Sequence, residues 1–194
     1  MTAVVIALLS VYHHPDERPW ALPIAGGVFI LAALTDTLDG FLARRWNVVS
    51  LFGRIMDPFA DKALVLGSFI VLAGPGFAGA DGGSVAGVAP WMVVLLLARE
   101  LLVTSIRAVM EGSGVSFSAK RAGKLKMVLQ SVAIPLILAL LWLGPRDELR
   151  DPAPIVRGVI AGVVWLTVLV TVVSGVPYLV ASARAVSPAG ANTP

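Results

Sequence analysis

The chain is built around five long apolar runs, roughly 20–43, 59–77, 88–111, 122–143 and 155–181. At 1.5 Å per residue, a run of about 20 residues reaches across the roughly 30 Å hydrocarbon layer of a bilayer. Lipid offers no hydrogen bonds to the backbone, so segments of this length must satisfy their own N–H and C=O groups as helices. The expected fold is therefore all-α, a polytopic membrane helix bundle. With 57% apolar and 14% charged residues, the chain cannot be an ordinary soluble domain, and 194 residues suit one bundle, read as a single domain over 1–194. The absence of cysteine excludes disulfides and thiolate metal sites, and a net charge of +3 is too small to argue for nucleic acid.

The runs are separated by segments rich in Gly, Pro, Asp or Ser: His13–Pro19, Gly74–Gly87, Gly112–Lys120 and Gly144–Pro154. Basic residues sort by side. Arg44, Arg45, Arg54, Lys62, Arg107, Lys120, Arg121, Lys124, Lys126 and Arg184 fall at alternate helix ends on one face of the membrane. Arg18, Arg146, Arg150 and Arg157 fall on the other, mixed with Asp16, Glu17, Asp81, Asp147, Glu148 and Asp151. The basic side is expected to be cytoplasmic. Met1–Tyr12 is apolar but spans only about 18 Å. It lacks the basic start and cleavage site of a signal peptide. It is read as a sixth, truncated transmembrane helix, with some 15–25 further residues expected upstream to complete the span.

Against this apolar background, four aspartates stand out. Asp36 and Asp39 lie i, i+3, on a helix face continued by Gly40 and Ala43, with Arg44 two turns from Asp36. Eight residues after Arg44, Gly53, Asp57 and Asp61 form a second stripe at i, i+4, i+8. Pro58 implies that this helix either starts near Asp57 or kinks there. An aspartate at membrane depth costs about 2.5–3.5 kcal/mol, so four bare carboxylates are not tolerable and must be neutralised. One reading is a structural ion-pair network, Asp57 with Arg54 and Asp61 with Lys62. The other is a harness of oxygen ligands for one or two hard divalent cations, Mg²⁺ or Mn²⁺, holding a phosphate ester beside small residues and an arginine. Four acids in register with two glycines favour the second.

The run Asp36-x-x-Asp39-Gly40-x-x-Ala43-Arg44, eight residues, Gly53-x-x-x-Asp57-x-x-x-Asp61 resembles the signature of the CDP-alcohol phosphotransferases at every fixed position. The resemblance implies a six-helix core and transfer of a substituted phosphate from a CDP-alcohol to a second alcohol, with release of CMP. It further implies that Asp36, Asp39, Asp57 and Asp61 hold two metal ions, with Asp61 also the general base. Asp36, Asp39, Gly40, Ala43, Arg44 and Gly53 would form the CDP pocket.

In the second half, Ala98-Arg99-Glu100, Arg107 and Gly123-Lys124-x-Lys126 look like the matching stretch of the bacterial phosphatidylglycerophosphate synthases, a branch of that family. Its implied donor is CDP-diacylglycerol and its implied acceptor sn-glycerol 3-phosphate. The acceptor's own phosphate needs a cationic pocket, for which Arg107, Lys120 and Lys124 are the candidates. Arg121 and Lys126 read instead as flanks meeting anionic lipid. Arg99 beside Glu100 reads either as pocket or as an orienting ion pair. Other acceptors (inositol phosphate, serine, phosphatidylglycerol) would use the same chemistry. A cation transporter would place its acids at the midplane on broken, repeated helices, and no repeat is visible. Two departures from the family pattern are the missing Asn/Thr/Arg-bearing stretch on the first helix and Met127 where Thr is usual. The expected setting is the bacterial inner membrane, among membrane lipids, with the site facing the cytoplasm. A homodimer is compatible with the resemblance.

Overall fold

The structure, a computed structural model, describes residues 1–12, 20–45, 51–112, 121–144 and 152–186, with side chains placed outside 37, 39–44, 51–58, 61, 111, 121–125 and 184–186. Six α-helices account for nearly all of it: α1 (Thr2–Val11), α2 (Ala21–Arg45), α3 (Leu51–Leu72), α4 (Pro90–Gly112), α5 (Arg121–Leu143) and α6 (Pro154–Val186). Four of the five long helices start or stop within a few residues of the hydropathy boundaries. The third does not. It begins at Leu51 rather than near 59, and it ends at Leu72, before a 3₁₀ turn at Pro75–Phe77. The sequence alternatives at Pro58 are thereby decided against a start at Asp57. The helix runs through the proline, whose missing N–H deprives only the Arg54 carbonyl of its usual helical donor.

The core follows from helical periodicity. On α6, Val156, Ile160, Val164, Val168, Thr171 and Tyr178 are buried, a 3.6-residue stripe that packs on α4 and α5. On α2, Leu22, Ala25, Phe29 and Ala32 are buried against α1 and α5. What faces outward is equally apolar: Leu31, Leu34, Val94, Leu101, Leu169 and Val173 are all exposed. Buried polar groups with apolar outer faces are the pattern of a bundle solvated by lipid. Two helices, α5 from Lys126 to Leu143 and α6 from Pro154 to Ala183, are each long and apolar enough to cross a membrane alone.

Helices consecutive in the chain alternate in direction, and contacts at the ends show it. Tyr12 at the close of α1 stacks on Phe77 with ring centroids 4.9 Å apart, so α1 ends where α3 ends. In the loop before α4, Gly83 N–H donates to Asp81 Oδ1 at 2.9 Å, and Arg157 Nη1 from the first turn of α6 donates to Asp81 Oδ2 at 2.7 Å. These bonds hold the exposed Asp81 carboxyl below its ordinary value, the Gly83 amide first and Arg157 second. Gly82 (φ 76°) and Gly87 (φ 64°) adopt left-handed turns that let the loop fold back on itself. Trp20, Trp91 and Trp142 sit at this same end of α2, α4 and α5, with Trp91 against Trp165 at 5.7 Å. Tryptophans at helix ends suit the membrane–water interface.

Candidate active site

The helices that carry the acids, α2 and α3, are consecutive in the chain and in contact. Counting back from Arg45 at 1.5 Å per residue, Asp36 lies about 14 Å and Asp39 about 9 Å from the end of α2. Counting forward from Leu51, Asp57 lies about 9 Å and Asp61 about 15 Å into α3. Positions 39 and 57, and positions 36 and 61, thus fall at similar counts from the two consecutive helix ends. One cavity of about 190 Å³ is lined by both Asp36 and Ala60, the neighbour of Asp61, together with Thr35 and Leu64. Asp36 is half-buried there. The side chains of Asp39, Gly40, Ala43, Arg44, Gly53, Asp57 and Asp61 lie outside the described residues, although all seven are helical. A donor set of carboxylate oxygens from two facing helices fits a hard divalent cation and not zinc or copper.

The candidate cations are described in part. Lys62, one residue past Asp61, donates from Nζ to Thr104 Oγ1 on α4 at 2.6 Å. This ammonium therefore reaches across to α4, while the Asp61 side chain, its partner in the ion-pair reading, lies outside the described residues. Arg107, one turn beyond Thr104, is half-buried and engaged with its surroundings. Lys124 is in the first turn of α5, with its side chain outside the described residues, and Lys120 lies outside them altogether.

Lys126 departs from expectation. It was expected at the lipid surface; instead it is buried at 8% exposure, with its ammonium on Glu100 Oε1. Glu100 also accepts from Arg99 Nη1 at 3.1 Å. Arg99 continues to α6, where Nε donates to the Thr171 carbonyl at 3.0 Å and Nη2 to Ser174 Oγ at 2.7 Å. Gln130 joins from α5 by donating to Thr171 Oγ1 at 3.3 Å. Arg99 can approach α6 this closely because Gly175 lies opposite, where an added Cβ would stand 3.3 Å from Arg99 Cγ. Arg99 and Glu100 are therefore an orienting ion pair, extended by Lys126, that fastens α4, α5 and α6 together. Sequence reasoning missed Gln130, Thr171 and Ser174, whose only signal was polarity inside apolar runs.

A second, larger cleft of about 640 Å³ opens between α2 and α5. Ile30, Ala33, Leu34, Val132 and Leu136 make its walls apolar, and Asp36 stands at one end. An apolar channel leading to a carboxylate site is what an amphiphile with a charged head and greasy tails requires.

Comparison with known proteins gives a consistent answer. The family model described as CDP-alcohol phosphatidyltransferase matches residues 1–173. A CDP-diacylglycerol–glycerol-3-phosphate 3-phosphatidyltransferase of Bacillus subtilis is 35% identical over 164 residues, covering 84% of this chain and 76% of its own. A protein of the same name from Cereibacter sphaeroides is 35% identical over 151 residues, 76% of this chain and 61% of its own. Another from Rickettsia bellii is 30% identical over 178 residues, 92% of this chain and 87% of its own. With the family model spanning the carboxylate helices and most of the bundle, and relatives of this identity aligned along most of the chain, the protein belongs to the CDP-alcohol phosphatidyltransferase family.

Proposed function

We propose that the protein transfers the phosphatidyl group of CDP-diacylglycerol to sn-glycerol 3-phosphate, giving phosphatidylglycerol phosphate and CMP. The observation that carries this reading is the set of relatives bearing that name along most of the chain, supported by the Asp36-to-Asp61 run on the contacting helices α2 and α3. The enzyme would work as a multi-pass protein of a bacterial inner membrane, with the basic end and the site facing the cytoplasm.

Asp36, Asp39, Asp57 and Asp61 would hold one or two divalent cations, Mg²⁺ or Mn²⁺. When bound, these ions supply neutralisation of pyrophosphate charge. The remaining work falls to the chain's own residues. Gly40, Ala43 and Gly53 leave room for the nucleotide, and Arg44 supplies a fixed positive charge to it. Diacyl tails follow the α2–α5 cleft away from Asp36. Asp61 takes the proton from the acceptor's primary hydroxyl as that oxygen attacks the lipid-bearing phosphorus and CMP departs. Arg107, Lys120 and Lys124 hold the acceptor's phosphate away from the acids.

The test is an assay of purified protein in detergent with labelled CDP-diacylglycerol and each acceptor in turn. Product is expected with sn-glycerol 3-phosphate, with CMP release stopped by EDTA and restored by Mg²⁺ or Mn²⁺. Asp61→Asn should lower turnover by about 10²–10⁴-fold while donor still binds. Preference for serine or inositol phosphate would move the assignment to another branch of the family. Turnover persisting in excess EDTA after dialysis would exclude the metal reading.

A further inference from the structure

Lys62 is a cation that the reading above does not use. It follows Asp61 directly, and successive helical residues diverge by about 100° around the axis. Its side chain accordingly leaves the acid face of α3 and spans to α4, where the ammonium gives one of its three hydrogens to Thr104 Oγ1 at 2.6 Å. Thr104 and Arg107 are spaced i, i+3 and share a face of α4. The ammonium is thus fixed between the turn that carries the base and the face that carries Arg107. This bond places the Lys62 charge at the α3–α4 contact.

We propose that Lys62, oriented by Thr104, is a specificity-determining residue that binds the phosphate monoester of the acceptor together with Arg107. The proposal rests on the functional reading above. An acceptor with its hydroxyl at Asp61 and a phosphate at the far end of a three-carbon chain must place that phosphate beside the acid face and outside it. Lys62 is the described cation nearest in sequence to Asp61 that meets this requirement. A hydroxyl partner suits the role, because it fixes the ammonium without neutralising it and leaves two N–H donors for phosphate oxygens. A carboxylate partner would cancel the charge.

The same ammonium could instead serve the donor's pyrophosphate or merely clasp two helices, and steady-state kinetics on the full-length enzyme in detergent separate these. Lys62→Met should raise KM for sn-glycerol 3-phosphate by about 10- to 100-fold, the loss of one charge-assisted contact, with KM for CDP-diacylglycerol unchanged. Lys62→Arg should recover much of that loss. Thr104→Val, which keeps shape and removes only the hydroxyl, should move the acceptor KM in the same direction by less. A rise in donor KM equal to or larger than that in acceptor KM would overturn the proposal in favour of the pyrophosphate. A fall in thermal stability or kcat with both KM values unmoved would leave Lys62 as a clasp and overturn it too. If unsubstituted enzyme yields no product with sn-glycerol 3-phosphate, the underlying functional reading is what fails.

Discussion

Replacing Glu100 by Gln tests whether the buried network holds the bundle together. Glu100 is 7% exposed and its Oε1 accepts from both Arg99 and Lys126. The amide keeps the shape but removes the negative charge that both cations share. Breaking a buried pair while leaving its partner charged costs about 3–5 kcal/mol. Arg99 keeps its bonds to Thr171 and Ser174, so most of the loss falls on Lys126, and the lower figure of about 3 kcal/mol applies. For a chain of this size that corresponds to a fall in Tm of about 6–12 °C. Thermal unfolding of the purified protein in a mild detergent would read it. Adding Lys126→Met should restore at least half of the lost Tm, because no buried ammonium then faces the uncharged amide. A shift under about 2 °C for Glu100→Gln, or a double variant whose losses simply add, would refute the claim that Glu100 serves mainly to neutralise Lys126.

Two further outcomes follow from the opposite end of the bundle. At Gly76 an added Cβ would stand 2.6 Å from the Tyr12 carbonyl oxygen, so Gly76→Ala should push α1 off the loop and cost about 1–3 kcal/mol, visible as a lower Tm and loosened Tyr12–Phe77 packing by near-UV circular dichroism. Asp81 titrates below its ordinary 3.8, so the stability it contributes is fully present above that value and lost as pH falls through its lower folded value. Asp81→Asn should therefore melt slightly below the parent at pH 7 and converge with it only once pH has fallen through the folded value, which lies below 3.8, in parallel melts across that range; a gap that widens on acidification would contradict the assigned direction.

The sequence by itself determined the helices and the pairing of acids along each of them, because both depend on local spacing. A run of about 20 apolar residues has one way to satisfy its backbone in lipid, and Asp36–Asp39 or Asp57–Asp61 share a face by helical geometry alone. The start of α3 was not legible, since Leu51–Pro58 carries Gly53, Arg54 and Asp57 and falls below any hydropathy threshold while remaining helical near the membrane surface. Tertiary structure alone decided the fate of the cations. Lys126 and Lys124 look alike along the chain, yet Lys126 is buried because Glu100 on another helix offers it a counter-charge. Lys62 sits next to Asp61 in sequence, and its ammonium reaches Thr104, 42 positions away. Whether a charge lies in lipid headgroups, in a buried pair or in a binding pocket depends on the partner within a few ångströms, and that partner is chosen by how the helices pack rather than by the residues alongside it in the chain.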